Sequence, residues 1–404
     1  MTKGRYLNTE LGKIPEEWVT RKFHEILVTV KGSLPNTLVD SEESEKLLPY
    51  LSAEYLRGKH EKAKYCLIED PKRITIVDND DILVIWDGSN AGEFLLGKKG
   101  VLSSTMAKVT FKDERLSRKF IYYFLKKCEG TLKNTTKGST IPHVDGNKLQ
   151  DINLLLPTLP EQQKIAEIIS TADDAIQKVN EQIALTKQLK KDMMQKLLTR
   201  GIGHFRFRET EIGEIPEEWA VQKLEEVAIL RKEQINPRNY AGEVYLGLEH
   251  ITPGEPKIIS YGNPNDVTSS KWKFHSGDIL YGKLRPYLDK AVIADRDGIC
   301  STDIHIIIPE KVDPNFLLYM LHTKRLIKHS TSASVGTNHP RISWEILKDF
   351  EIPLPPNEEQ IRISEILTTI DDKIVFLQDK GTLLERLKKG LMEDLLTGKI
   401  RVKV

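Results

Sequence analysis

Lysine, arginine and tyrosine interleave at two places in the second half of this chain, KWKFH at 271–275 and YGKLRPYLDK at 281–290. Cationic side chains among flat aromatic ones, beside a turn, have the composition of a surface that contacts phosphates or base edges. The candidates there are Lys271, Lys273, Lys283, Arg285, Tyr287 and Lys290. Two further segments, GSTIPH at 138–143 and VGTNHPR at 335–341, fall at corresponding places in the two halves. Arginine can read guanine through two parallel hydrogen bonds, and asparagine can read adenine. This adds Lys137, Ser139, Thr140 and His143 in the first half, and Thr337, Asn338, His339 and Arg341 in the second. A polar loop joining strand to helix has the same composition, so the segments alone leave both readings open.

Catalytic patterns are absent. GEFLLGKK, from Gly92 to Lys99, has the spacing of a phosphate-binding loop but places Lys99 where Ser or Thr should hold magnesium. A basic hairpin tip carrying Lys98 and Lys99 is the expectation there. No G-x-G-x-x-G follows a strand, no N-P-P-Y or D-P-P-Y string marks an adenine methylase, and the ten histidines show no metal spacing. Scattered Asp, Glu and Lys select no nuclease. Asp173-Asp174 recurs as Asp371-Asp372, either a solvated helix face or a contact with a partner.

The elements that carry these loops are dominated by one stretch, Pro160 to about Leu198, with no internal Gly or Pro. Ile165, Ala172, Val179, Thr186 and Met193 recur every seven residues; Ile169, Ile176, Ile183 and Leu197 run beside them, interrupted only by Lys190. That period predicts a near-coiled-coil helix on the order of 60 Å long at ~1.5 Å per residue. Thr158 and Glu161 resemble a capping box. Shifted by 198 residues the stripe returns as Ile363, Ile370, Leu377, Leu384 and Leu391, and Glu161-Gln162 falls on Glu359-Gln360. Matching seams predict that the two helices pair antiparallel, against the alternative that each packs on its own domain. Gly381, in place of Ile183, should weaken the second helix by about 1 kcal/mol.

The repeat covers the whole chain. IPEEW occurs at 14–18 and 215–219, Asp81-Ile82-Leu83 matches Asp278-Ile279-Leu280, and FIYYFLKK at 120–127 matches FLLYMLHT at 316–323. Strand-like runs at 80–86, 106–111, 277–282, 291–294 and 304–308 predict α+β domains with a curved or barrel-like β region. The expected order is domain 1–155, helix 156–203, domain 204–353, helix 354–404: a pseudo-two-fold internal repeat closed tail to head. The 404 residues exceed one core, and a net charge of +1 confines basic character to local clefts. The three cysteines, Cys66, Cys128 and Cys300, suggest a reducing cytoplasm, and nothing resembles a membrane span or signal peptide.

The duplicated IPEEW, the duplicated LP-rich–EQ–helix–LLT module and the order domain–helix–domain–helix resemble type I restriction–modification specificity subunits. The resemblance implies two target-recognition domains, each reading one half of a split, asymmetric double-stranded DNA site. It implies two antiparallel helices that set the gap and dock two methyltransferase subunits, with restriction-motor subunits completing the complex. It implies a non-catalytic, cytoplasmic chain without cofactors, S-adenosylmethionine, ATP and magnesium being bound by the partners. The recognition domains are the family's variable part, so no base-contacting residue carries over by motif. The other readings are a structural adaptor with two protein-binding globules and no DNA binding, and a self-contained methylase or nuclease.

Overall fold

The unbroken amphipathic run forms a helix from Leu159 to Arg200, and its repeat forms one from Asn357 to Leu396. The computed structural model describes residues 6–9, 12–40, 47–58, 63–67, 74–138, 140–240, 242 and 244–403. The chain divides into two units, Met1–Asn180 with Asp379–Val404, and Glu181–Gln378. Each unit therefore holds part of both long helices.

Within each unit the helices run antiparallel. In the first, Ile165 and Ile169 share a core with Leu395 and Leu396, and Lys388 reaches Asp173 at 2.5 Å. In the second, Leu197 and Leu198 share a core with Ile363 and Leu367, and Lys190 reaches Asp371 at 2.6 Å. Every seam position expected from the heptads faces inward: Ile165, Ile169, Ile176, Val179, Ile363 and Leu377 are buried, and Ile183, Ile370, Leu384 and Leu391 half-buried. At ~1.5–3 kcal/mol per fully buried aliphatic side chain, this seam outweighs the weak intrinsic preference of an isolated helix. A methyl group on Gly381 would meet Val179 Cγ1 at 3.5 Å, an ordinary contact.

Among the described residues the β region of each unit comprises two larger open sheets and two two-stranded ones rather than a closed barrel. In the first unit Leu27–Lys31, Met106–Phe111, Ile82–Ile85 and Phe94–Leu96 form an antiparallel sheet. The second unit repeats it with Ala228–Arg231, Ile304–Pro309, Ile279–Gly282 and Ala291–Ile293. A second sheet in each contains one parallel pair, Val101 beside Tyr50 and Ile299 beside Tyr245. The helix Arg118–Lys133 covers the first unit; its counterpart breaks into Pro314–Leu321 and Lys324–Ser332, with Thr323 capping the second piece through Leu326 N–H.

The repeated IPEEW and EQ are two sides of one joint. Ile14 and Trp18 are buried, as are Ile215 and Trp219, and each tryptophan follows a short hairpin. Trp18 Nε1 donates to Glu161 at 3.2 Å, and Trp219 Nε1 donates to Glu359 at 2.9 Å. Each glutamate also takes the chain that follows the other long helix: Arg401 bonds Glu161, and His204 bonds Glu359 at 2.9 Å. Glu161 thus serves this joint, with both carboxylate oxygens engaged by Trp18 and Arg401. Gln162 accepts from Ser117 N–H and donates to Pro157 O, as Gln360 does with Asp313 and Pro355. Gly201 and Gly398 follow the helices at φ +65° and +72°, where an added Cβ would collide with Glu359 and Trp219 at the first and with Pro15 at the second.

Candidate nucleic-acid interface

The two polar segments singled out by sequence are built on the same backbone plan. In the first unit Lys137 and His143 exchange backbone hydrogen bonds at 2.9 and 2.8 Å, closing a loop between them. In the second, Val335 and Arg341 do the same at 2.9 and 3.0 Å. Each loop docks on the turn after a central strand. Gly88 N–H donates to Pro142 O at 2.8 Å, and Arg285 N–H donates to Pro340 O at 2.7 Å. Val144 N–H bonds Trp86 O, and Ile342 N–H bonds Lys283 O. A strand end and a loop therefore form one paired tip in each unit.

The second unit brings seven of the candidate residues to this tip. Thr337, Asn338, His339 and Arg341 are exposed on the loop, and Lys283, Arg285 and Tyr287 lie on the turn beneath it. Arg341 is held by Asp303 through Nε at 2.8 Å and Nη2 at 3.3 Å, and that hydrogen bonding raises its pKa. The base of the loop is fixed by His305, whose Nε2 bonds Ile342 O at 3.0 Å. Burial pushes the His305 pKa down to about 4, so the ring is neutral at pH 7 and Nε2 is the donor.

In the first unit Lys137, Thr140 and exposed Ile141 occupy the loop, and His143 its closing pair. Lys137 reaches Asp145 at 3.0 Å and lowers its pKa. Ser139 lies outside the described residues. Two neighbours not singled out by sequence complete this tip: Asp87, bridged to His143, and Lys31, which meets Asp87 at 3.5 Å and lies over the Trp86 ring. Asp87 corresponds to Leu284 in the repeat, a charge difference that the aligned halves already display.

Five candidates lie elsewhere. Lys271 is buried, its Nζ bonded to Ser269 O at 2.9 Å and lowered in pKa by desolvation. Lys290 Nζ is held by Leu248 O at 2.6 Å and lowered in the same way. Both hold neighbouring backbone instead of facing solvent. Lys273 sits in the other sheet and pairs with Glu233 at 3.1 Å. Lys98 and Lys99 are exposed, but they lie beside Ile82, at the end of the strand opposite Asp87. They are also not a hairpin tip: the strands flanking them, Phe94–Leu96 and Gly100–Leu102, belong to different sheets. Among the described residues no cluster of three His, Cys, Asp or Glu side chains could hold a metal ion, and no helix is long and apolar enough to cross a membrane.

One α+β module built twice, each copy with its own exposed tip and a share of a paired helix, defines a duplicated recognition protein. The chain belongs to the type I restriction–modification DNA specificity family, whose domain model matches residues 15–187 and 216–386. It is 37% identical to the type I restriction enzyme MjaVIII specificity subunit of Methanocaldococcus jannaschii, over 97% of this chain and 95% of that protein. It is 26% identical to the Escherichia coli EcoDI specificity subunit, over 87% of this chain and 81% of that one. The fold matches the crystal structure of a type I restriction–modification S subunit from M. genitalium with a TM-score of 0.61 at 16% identity, covering 94% and 96% of the two chains.

Proposed function

We propose that this chain is the non-catalytic DNA-reading subunit of a type I restriction–modification complex. Each unit reads one half of a bipartite, asymmetric double-stranded site through its paired tip, and the long helices set the gap. The observation that carries this reading is the shared backbone hydrogen-bond plan of the two tips combined with different side chains. Asp87 and Gly88 in one unit stand where Leu284 and Arg285 stand in the other. A conserved frame with unlike reading residues suits two unlike half-sites.

The outer face of the helices supplies the surface for methyltransferase subunits. Leu185 and Leu189 are 71% and 50% exposed, and their equivalents 198 residues on, Leu383 and Leu387, are 66% and 53% exposed. A repeated apolar pair fits two copies of one partner. In the second unit a cleft of about 670 Å³ lies beside these helices, floored by Met194, Leu198, Ile215, Met320 and Ile374. Its four carboxylates are paired within the fold, while Lys191, Lys257 and Lys324 on its rim are exposed. An acidic, apolar-anchored partner segment complements that lining. S-adenosylmethionine, ATP and magnesium belong on this reading to the methyltransferase and motor subunits, and the complex works in the cytoplasm.

The test is co-expression with methyltransferase subunits followed by mapping of adenine methylation. The expected result is a split motif with a fixed gap, of which exchange of residues 206–346 changes one half only. Assembly of the complex without any methylation that depends on this chain would favour a protein-binding adaptor instead.

A further inference from the structure

Three non-glycine residues among those described have left-handed backbone, Asp80 at φ +65°, Arg285 at +52° and Asp289 at +50°. Arg285 and Asp289 flank the short turn Pro286–Leu288 beneath the second tip. In the first unit the residues 197 positions earlier are Gly88 and Gly92, at φ +109° and +90°. Both units thus turn the chain through positive φ at these two places, and the first does so with the residue that adopts it without steric penalty. Aspartate tolerates the region, and the Asp289 carboxylate is bonded to His322 Nδ1 at 2.7 Å. Arginine has neither advantage.

Among the described residues Arg285 finds only weak partners for its side chain. Its Nε is buried without a hydrogen-bond partner. Its Nη2 lies 3.4 Å from Asn338 O and 3.5 Å from His339 Nδ1, at the outer limit of a hydrogen bond. No carboxylate among the described residues pairs with it, whereas neighbouring Arg341 is bound to Asp303 by two bonds. The first unit shows that glycine is sufficient at this place: Gly88 makes the same backbone bond to the loop. A strained residue with an unsatisfied polar group, retained where a relaxed one serves, marks a function outside the fold.

We propose that Arg285 is a specificity-determining residue that reads a guanine in the half-site of the second unit, donating in parallel to N7 and O6. This rests on the DNA-reading role proposed above. A planar fork of donors matches two adjacent acceptors, which both a guanine edge and a phosphate offer. Phosphate contacts serve position and would be wanted equally in both units, whereas base contacts must differ between unlike half-sites. The residue differs while its backbone bond to the loop recurs, and this favours the base.

The test uses the full complex and a library of bipartite sites in which every half-site position is randomised, with methylation as readout. The wild-type complex should demand guanine at one position of the half-site read by the second unit. Arg285→Gly should have an unchanged or higher melting temperature and lose preference at that one position by about tenfold or more. The other half-site and the gap should be unaffected. Arg285→Lys, which keeps the charge without the fork, should lose the same preference. Uniform weakening with unchanged base preferences and a shallower salt dependence would show a phosphate contact and overturn the proposal. So would an unchanged profile, or a glycine variant that unfolds more readily. If the wild-type complex shows no bipartite preference at all, the DNA-reading role itself falls, and this inference with it.

Discussion

Lys190 on the first long helix reaches the Asp371 carboxylate on the second at 2.6 Å, and the same carboxylate accepts the Tyr319 hydroxyl at 2.8 Å. The first unit repeats the arrangement with Lys388, Asp173 and Tyr123. Both units keep one antiparallel register: 17 residues back along one helix, from 190 to 173, is 17 forward along the other, from 371 to 388. Polar groups within an apolar seam fix register at some expense of stability. Asp371→Ala leaves the Lys190 ammonium without its carboxylate, the Tyr319 hydroxyl keeping only Thr368 at 3.3 Å, and should destabilise the protein by about 2–3 kcal/mol. Combining Asp371→Leu with Lys190→Met should recover most of that. Urea denaturation of the single and double variants checks both statements, and a double variant as weak as the single would contradict the second.

The spacing role can be tested without disturbing either polar pair. Inserting four residues after Asn180 and four after Lys380 leaves both Lys–Asp contacts on their own sides of the insertion. The helices lengthen by ~6 Å and turn by about 40°. DNA rises ~3.4 Å and turns about 35° per base pair. The preferred gap between half-sites should grow by one or two base pairs. A methylation map with the original gap would rule the helices out as the spacer.

Gly381 is a removable weakness. Its added Cβ would sit in ordinary contact with Val179, and its backbone is helical, so Gly381→Ala should stabilise the chain by about 0.5–1 kcal/mol. A lowered denaturation midpoint would mean that the close approach of the helices needs glycine.

Acid should loosen the second tip. His305 titrates near pH 4 when folded and near 6.5 when unfolded, so between these values the unfolded chain binds the proton more readily. Its contribution is fully present above about pH 6.5 and is lost as pH falls toward 4, by up to about 1.4 kcal/mol per pH unit. His305→Gln retains a donor for Ile342 O without a titrating ring. Its stability should fall less steeply from pH 7 to pH 5 than that of the wild type; equal slopes would place the acid sensitivity elsewhere.

Periodicity made the helices and their seam legible, because burying a stripe on a long helix requires repeats of about seven residues. Lys190 looked like an interruption and is a partner, because sequence spacing along one helix does not show what faces it on another. The duplication of Asp173 and Asp371 held that signal, and the neighbouring Asp174 and Asp372 remain solvent-exposed. IPEEW and EQ were visible as repeats, but their contact spans 143 residues, from Trp18 to Glu161, and only the fold reveals it. The tips were found by composition because exposed Thr, Asn, His and Arg cluster in a short loop. Lys271 has the same composition and is internal, since a strand places alternate residues on opposite faces and composition does not say which face is covered; half-buried Lys290 is turned onto Leu248 O.

The docking of Arg401 on Glu17 and Glu161, beside Trp18, has a topological consequence. In the second unit the corresponding joint is made by continuous chain, Arg200 through His204 and on to Trp219. In the first it is made between Arg401 and Glu17, which lie 384 residues apart in the chain. Packing thus closes this joint as fully across distant stretches as along continuous chain. A circular permutant in which a short linker joins the segment of Arg401 to that of Glu17, opened at 201–206, should therefore fold to the same two units.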